Sequence, residues 1–396
     1  MAETEARRTR AGGMRAWATV GAAALLVAAA CTTAATPGPT GTPQATTPPP
    51  AATTPPAETP AATPAETPKP SGKIVISNWD LYMPEDLIPN FTAETGIEVE
   101  LALHTTNEDI MGKIEAANGG GFDIVFVSAP FAEALAKRGW AAKLDKRQLP
   151  NAANLAPEAD RLEYDPGNQY SIPYTWGTTG LCYRSDLVSF TPDSWNDLLT
   201  PRDELKGKIT MLGTDRWLML PALKVLGYSI NTTDPAELEA AKQLLLETKK
   251  SLLAYDDITF YAKLVSGEAY LVEAWDGWCN YGIAENPDIK WVVPKEGSDL
   301  WSDTMVILES SQNKPAAHAF LDYVLRPLTG KAVAELVYYK VPNPNAMRLV
   351  DPALLEQFSN LAMTADELSK FGQPERDLGD AAPLWARIVA EITAGG

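Results

Sequence analysis

Hydrophobic and polar positions after residue 73 follow two periods in turn, which predicts strands and helices that alternate along the chain. Short runs rich in β-branched and aromatic residues, such as 74–76 and 123–127, are typical of strands. Between them, residues 85–95 carry apolar side chains at helical spacing and precede Gly96, a residue common just after a helix. This alternation predicts an α/β fold with a mainly parallel sheet.

The same hydrophobic patterns predict strands and helices in the rest of the chain. Further strands are expected at 99–103, 269–274 and 304–308, and further helices at 107–118, 132–138, 236–250 and 315–325. Ligands of open α/β sheets bind at the carboxyl ends of strands. The loops after Ile76, Val127, Glu273 and Trp291 are therefore the expected place of a binding site.

The first 31 residues have the pattern of an export signal. Arginines at 7, 8, 10 and 15 precede an apolar stretch, 16–30, which is too short for a stable membrane span. Three alanines stand directly before Cys31 and resemble a bacterial lipobox, in which the cysteine is lipidated. We expect an extracytoplasmic protein anchored through Cys31 to the outer face of the cell membrane. The alternative is an ordinary signal peptide cleaved near Ala30, which would leave a periplasmic protein.

Residues 32–72 are predicted to form a disordered tether. Twelve of the chain's 32 prolines fall in this stretch, together with threonine and alanine and almost no bulky apolar residue. Such a composition buries too little surface to offset the entropy of ordering, and it favours extended segments. The folded part is therefore expected to span residues 73–396.

Composition and charge exclude several classes of protein. The chain has 396 residues, 45% of them hydrophobic, which is enough for two lobes with separate cores. A net charge of −18 disfavours binding to nucleic acid and suits cationic ligands better. Only His104 and His318 are histidines, so neither a poly-histidine metal site nor another cofactor is expected. Walker A, G-x-S-x-G and H-E-x-x-H motifs are absent from the sequence, which argues against an enzyme.

Aromatic residues stand beside acids at several of the predicted strand ends. The segments are Asn78-Trp79-Asp80-Leu81-Tyr82, Asp215-Arg216-Trp217, Trp275-Asp276-Gly277-Trp278 and Trp301-Ser302-Asp303. An indole face attracts a cation, and a carboxylate accepts a charge-assisted hydrogen bond from an ammonium group. One such pair is more often part of the core than of a ligand site, but their recurrence at strand ends favours an elongated amine with several positive charges.

From Lys73 to Gly396 the chain resembles the polyamine (spermidine/putrescine) substrate-binding proteins of ABC importers. The matching stretches are SNWDLYMPEDLIPNFTAETGIEVE, FDIVFVSAPF, YSIPYTWGTTG, LGYSINTTDPAELEAA, VVPKEGSDLWSDT, FLDYVLRP and VPNPNA. The resemblance implies a bilobed type II periplasmic-binding fold, with two mainly parallel-sheet lobes that close about a hinge. We expect lobe 1 to comprise about 73–180 and 304–340, and lobe 2 about 181–303 with part of the C-terminal segment.

The resemblance also implies roles for particular residues. The residues that match the family's ligand site are Trp79 and Tyr82 (aromatic wall), Ser128 (small polar residue), Trp275 (second-lobe tryptophan), Trp301 (aromatic residue) and Asp303 (acid that grips an amine nitrogen).

Other positions depart from the family's pattern. Pro130 replaces an aromatic or small residue, and the acids between the lobes are reduced to Asp215. Tyr339 matches the family tyrosine if one inserted residue is allowed, and Asp80 and Asp276 are additional acids. The resemblance thus implies a cationic amine as ligand and leaves the particular polyamine open.

Two cysteines remain after Cys31, namely Cys182 and Cys279. In an exported protein an even number of remaining cysteines favours a disulfide bond between them. The alternative is two buried free thiols.

Taken together, the sequence predicts the membrane-anchored binding component of an ABC importer. A spermidine- or putrescine-like cation would bind between the lobes, with Asp303 on one nitrogen and Asp80, Asp215 and Asp276 as candidates for the others. The protein would act as a monomer, bind no nucleic acid, and deliver its ligand to a permease driven by a separate ATPase.

Two alternative functions remain open. Tyr338 and Tyr339 could supply two phenolate ligands to ferric iron, a hard cation that prefers oxygen donors, and other amines would suit the same fold. A secreted carbohydrate-active enzyme is the other alternative, because its carboxylate pair is recognisable only in the tertiary structure.

Overall fold

Alternating strands and helices build two β-sheets within residues 70–394, the part of the chain that this computed structural model describes. The strands are β1 (Lys73–Trp79), β2 (Glu98–His104), β3 (Ile124–Ser128), β4 (Ser171–Gly177), β5 (Thr179–Arg184), β6 (Ile209–Met211), β7 (Ala254–Tyr255), β8 (Leu271–Trp275), β9 (Ile289–Val292), β10 (Ser298–Ile307) and β11 (Gly372–Pro374). The signal segment with Cys31, and the tether up to residue 69, lie outside the described residues.

Helices cover the faces of both sheets. They are α1 (Leu87–Thr95), α2 (Asn107–Ala116), α3 (Ala129–Lys137), α4 (Asn196–Leu199), α5 (Asp215–Val225), α6 (Pro235–Lys249), α7 (Phe260–Ser266), α8 (Asp276–Glu285), α9 (Lys314–Val324), α10 (Pro327–Val337), α11 (Pro344–Met347), α12 (Pro352–Gln357), α13 (Ser359–Ala362), α14 (Ala365–Phe371) and α15 (Ala382–Ala394). Within residues 70–394, none of these helices combines the length and the hydrophobicity that crossing a membrane requires.

The two sheets define two lobes, as expected for a bilobed α/β fold. The first sheet has the order β11-β10-β3-β1-β2, and β4 pairs with β10 as well. The second sheet has the order β7-β6-β8-β5-β9. Neighbouring strands are parallel in β2-β1-β3 and in β7-β6-β8, whereas β10 and β5 run antiparallel to most of their partners.

The prediction of mainly parallel sheets is confirmed: within residues 70–394 five strand pairs are parallel, and the four antiparallel pairs all involve β5 or β10. Parallel pairing follows from the strand–helix–strand units, which return each strand in the same direction. The strands β4, β5 and β10 instead flank the places where the chain passes from one lobe to the other, and they enter their sheets in the opposite direction.

The central strands of each sheet are buried on both faces, which explains their nearly continuous apolar sequences. In β3, Ile124 and Phe126 pack into one core cluster while Val125 and Val127 pack into the cluster on the opposite face. This follows from the two-residue period of a strand. The second sheet likewise separates two clusters, with Leu181 on one side and Cys182 on the other.

The described chain passes between the lobes at three places. The first crossing follows Gly177, the second precedes Ser298, and the third follows β11 and leads to α15, whose Trp385 lies in the second lobe's core. The lobe boundary expected at 303/304 thus falls inside β10, whose whole length from Ser298 pairs within the first sheet.

A disulfide bond joins Cys182 on β5 to Cys279 on α8, with a Cα–Cα distance of 5.9 Å. This is the pairing that the sequence favoured. Since α8 starts directly after the strand end Trp275, the bond holds the first turn of this helix against the second sheet. The disulfide therefore supports one of the strand ends at which a binding site was expected.

Candidate ligand-binding site

The carboxylate of Asp303 on β10 lies at the centre of a group of side chains brought together from distant segments. The Tyr82 hydroxyl donates to Oδ2 at 2.7 Å, and the Ser128 hydroxyl donates to Oδ1 at 2.7 Å. Ser128 and Asp303 are partners in the antiparallel pairing of β3 with β10, which fixes their relative position. Thr175 on β4 lies 2.7 Å from the Tyr82 hydroxyl and orients it.

The hydrogen-bond partners of the Asp303 carboxylate are uncharged hydroxyl groups. Burial raises the pKa of Asp303, and the hydrogen bonds from Tyr82 and Ser128 only partly oppose that shift. Among the described side chains, no lysine or arginine lowers the pKa of this group. Burial together with the Asp303 charge also raises the pKa of Tyr82 well above its ordinary value, so the phenol keeps its proton. The arrangement favours a ligand that brings a positive charge.

A series of aromatic rings in the first lobe extends from Tyr82, whose hydroxyl contacts Asp303. The Tyr82 ring packs edge-on against Trp79 at a centroid distance of 5.5 Å and against Tyr339 at 6.3 Å. Tyr339 in turn contacts Trp301 at 4.7 Å. With Ser128 and Asp303, the structure therefore brings together six of the residues predicted from the sequence, and it supports the match of Tyr339 with the family's tyrosine.

Trp275 contributes an aromatic face from the second lobe. It packs against the first lobe's core cluster as well as its own, so it lies at the junction of the lobes. Its ring meets that of Trp217 edge-on at 5.0 Å, and the Trp217 indole donates to Asp299 at 2.9 Å. Asp299 also accepts from the backbone and hydroxyl of Thr179 at 2.6 and 2.8 Å. Asp299 thus positions Trp217, which supports Trp275.

The additional acids predicted from the sequence have different surroundings. Asp276 is 3% exposed and lies against Gly177, at the first crossing between the lobes. Asp80 is exposed in the turn after β1. Asp215 is the first residue of α5, and its side chain lies outside the part of the chain that the structure describes.

Glu375 is an acid of this region that sequence reasoning missed. It follows the short strand β11, and its backbone N–H donates to Leu300, the residue before Trp301. Its side chain is 3% exposed, and burial beside Asp299 raises the pKa of Glu375 to about 8. In the sequence it lies in a polar C-terminal segment without periodicity, so only the pairing of β11 with β10 reveals its position.

The tyrosine pair does not form a shared iron site in this arrangement. Tyr338 packs against Tyr281 at 5.1 Å and Phe358 at 4.8 Å, whereas Tyr339 packs against Trp301. The two rings therefore belong to different aromatic groups. Within residues 70–394, no group of three or more histidine, cysteine, aspartate or glutamate side chains has the geometry of a metal site.

Comparison with known proteins identifies the family. The profile of the bacterial extracellular solute-binding proteins matches residues 86–370. The spermidine/putrescine-binding periplasmic protein of Salmonella typhimurium is 34% identical over 319 residues, which cover 80% of this chain and 90% of that protein. The putrescine-binding periplasmic protein of Escherichia coli is 31% identical and covers 71% of this chain and 80% of its own length.

Solved structures agree with this assignment. A putative spermidine/putrescine ABC transporter from Listeria monocytogenes has a TM-score of 0.73 at 32% identity, over 81% of this chain and 98% of that one. The fold and its junction of aromatic and acidic residues define a bilobed binding protein rather than an enzyme. The chain belongs to the family of bacterial extracellular solute-binding proteins, and the resemblance drawn from its sequence is confirmed.

The close approach at Gly177 gives a prediction for the junction of the lobes. A Cβ atom at this position would overlap the Trp301 ring and lie 2.5 Å from the Asp276 carboxylate. We expect Gly177→Ala to lower the free energy of unfolding by roughly 1–3 kcal/mol, because the ring and the carboxylate must both move. Urea denaturation measures this change.

The matched control is Gly112→Ala in the middle of α2, where an added Cβ meets no atom within 4 Å. Alanine there should leave stability unchanged or raise it, because alanine favours a helix over glycine. Equal stability of the Gly177→Ala variant and the parent protein would contradict the tight packing at the crossing.

Proposed function

We propose that this chain is the extracytoplasmic binding component of an ABC importer and that its ligand is a polyamine of the spermidine/putrescine type. The observation that carries the proposal is the Asp303 carboxylate, which has hydroxyl partners but no cation and stands among aromatic rings. A protonated amine supplies the missing charge and donates to the carboxylate, and its methylene groups pack on the rings.

The names of the relatives support the same ligand class. Those at 31–34% identity are described as binding spermidine, putrescine or both. In this chain, Trp79, Tyr82, Trp301 and Tyr339 would enclose the ligand from the first lobe, and Trp275 would cover it from the second. Ser128 acts on the ligand indirectly, because its hydroxyl orients Asp303.

Glu375 is proposed to hold a second ammonium group. Burial and the charges of Asp299 and Asp303 raise the pKa of this carboxyl, whereas the buried Arg216 guanidinium opposes the shift only in part, so a further cation placed here would be favoured. An amine that spans Asp303 and Glu375 would contact both the first lobe and the segment that leads into the third crossing. Binding would therefore favour the closed arrangement of the lobes, because only there are all contacts made.

Replacement of Asp303 tests the ligand class. In Asp303→Asn the side chain keeps its size but loses the charge, so we expect the affinity for spermidine and putrescine to fall about 10- to 100-fold, the effect of one charge-assisted hydrogen bond. Isothermal titration calorimetry with a panel of amines measures the affinity of the variant and of the parent protein. Asp380→Asn, at an exposed position, is the control and should bind as the parent does. Unchanged affinity of the Asp303→Asn variant would remove this residue from the site.

The pKa of Glu375 predicts a link between binding and protons. With a pKa of about 8, this carboxyl is mostly protonated in the ligand-free protein at neutral pH, whereas a bound ammonium favours the ionised form. Binding should therefore release a proton, and affinity should rise as the pH increases from about 6 to about 8. Calorimetry in buffers of different ionisation enthalpy measures the number of protons released when the ligand binds.

Glu375→Gln provides the comparison for this experiment. Because glutamine does not titrate, the released proton and the pH dependence assigned to Glu375 should both disappear. Proton release that is the same in the variant and the parent would assign it to another group.

The lipid anchor is part of the proposal and rests on the sequence before residue 70. Lipidation of Cys31 would keep the tethered domain near the permease, to which it delivers the ligand as a monomer, while a separate ATPase supplies energy. We expect Cys31→Ser to move the protein from the membrane fraction to the soluble or secreted fraction, measured by immunoblotting of fractionated cells. Retention of the variant in the membrane fraction would contradict the anchor.

A further inference from the structure

The loop that follows α5 contains Asn231, which lies beside the segment that carries Glu375. This loop belongs to one of the stretches by which the chain resembles its family, yet it supplied no residue to the predicted ligand site. The Asn231 side-chain amide donates to the Pro374 carbonyl at 2.9 Å, and its oxygen accepts from the Arg376 backbone N–H at 3.0 Å. One side chain therefore holds the backbone on both sides of Glu375.

Asn231 thereby joins parts of the two lobes. Its neighbour Ile230 lies in the second lobe's core, whereas β11 pairs with β10 in the first sheet. Two further hydrogen bonds lie beside it: the Ile230 N–H donates to the Gln373 side-chain oxygen at 3.1 Å, and the Gln373 amide donates to the Ser229 hydroxyl at 2.6 Å. The loop thus binds residues 373–376 along their length, where the chain begins its third crossing between the lobes.

Charged groups hold the same segment from two sides. From α5, Arg216 donates to the Arg376 carbonyl and, at 3.2 Å, to the Asn231 side-chain oxygen. From α3 of the first lobe, Glu133 accepts two hydrogen bonds of 2.7 and 3.0 Å from the Arg376 guanidinium. The same carboxylate accepts from the Asp377 backbone N–H at 2.9 Å. Residues before and after Glu375 are therefore fixed to both lobes.

The Glu375 carboxylate itself has no such support. Among the side chains described within residues 70–394, none donates a hydrogen bond to it, and Arg216 lowers its pKa only through its charge. The side chain is nevertheless 3% exposed. Its position therefore depends on the backbone that carries it, and the bonds at Pro374 and Arg376 determine the course of that backbone.

We propose that Asn231 is a positioning residue for ligand binding: it fixes the backbone around Glu375 and so orients this carboxylate towards the second ammonium group of the ligand. The inference rests on the proposed function, in which Glu375 holds that group. A side chain that is ordered before the ligand arrives loses less entropy on binding, which strengthens the contact. Asn231 acts on the ligand only through Glu375.

Amide hydrogen exchange tests the bonds of Asn231 without any ligand. In Asn231→Ala the Arg376 N–H loses its acceptor, so we expect peptides that cover residues 373–378 to exchange faster than in the parent. Gln243→Ala is the matched control, because it removes a side-chain amide of the same lobe that donates to Glu239 on the surface of α6. That variant should exchange as the parent does. Equal exchange in Asn231→Ala and the parent would overturn the role of Asn231.

Calorimetric titration of the full-length protein with putrescine tests the effect on binding. We expect Asn231→Ala to lower the affinity about 3- to 10-fold, the cost of ordering one long side chain when the ligand binds. In the Glu375→Gln background the same replacement should have a much smaller effect, because the charge to be positioned is gone. The rise in affinity between about pH 6 and about pH 8 that is assigned to Glu375 should also be smaller in Asn231→Ala. An equal loss of affinity in both backgrounds would overturn the proposal, since Asn231 would then act on the lobes as a whole.

Glu133→Gln is a second variant, and it leaves Asn231 in place. It removes the charge that binds Arg376 and so loosens the same segment from the side of the first lobe. Its effect on putrescine affinity should likewise be smaller in the Glu375→Gln background. An effect of the same size in both backgrounds would contradict the positioning of Glu375 through this segment.

The outcomes separate this inference from the proposed function. A parent that binds amines, together with an Asn231→Ala variant of equal affinity, would overturn only the role of Asn231. Failure of the parent to bind putrescine or spermidine would overturn the proposed function and the role in binding that rests on it, even if hydrogen exchange confirms the bonds of Asn231.

Discussion

The carboxylate of Asp303 imposes the main constraint on this protein, because it is held by neutral hydroxyl groups at the junction of two lobes. A carboxylate removed from water loses hydration that the hydrogen bonds from Tyr82 and Ser128 replace only in part, as its raised pKa records. A cation beside the carboxylate would offset its lost hydration. Under the proposed function, the group that is unfavourable in the empty protein is the one that would make binding of an ammonium favourable.

The rest of the structure holds the surroundings of that carboxylate in place. Antiparallel pairing of β10 with β3 places Ser128 opposite Asp303, and the hydrogen bonds of Asp299 support Trp217 and, through it, Trp275. The disulfide fixes the helix that follows Trp275. Chain segments from both lobes thus reach one place through ordinary sheet pairing and packing.

Local patterns in the sequence predicted much of this fold. The strands around Ile76 and Val127 and the helix that begins at Pro235 follow from periodicity and helix caps, and their bounds differ from expectation by a few residues. The direction of β10 could not be predicted in this way, because antiparallel entry into the sheet depends on where the chain crosses between lobes. The resemblance to a family supplied the aromatic residues and Asp303.

The missed residues show the limit of reading a sequence alone. Glu375 stands in a polar segment that looks like surface, and only tertiary packing buries it. For Asp276 the reverse holds: its place after Trp275 suggested a ligand contact, whereas the structure buries its carboxylate against Gly177 at the first crossing between the lobes. Charge balance in a buried site depends on groups far apart in sequence, and therefore it has to be taken from the structure.

Native mass spectrometry of the protein isolated from its own cells without unfolding tests the central claim most directly. We expect a population whose excess mass matches one linear amine, and whose bound amine is replaced when excess spermidine or putrescine is added. A retained sugar, peptide or metal ion, or a protein that stays free of ligand when incubated with both amines, would contradict it.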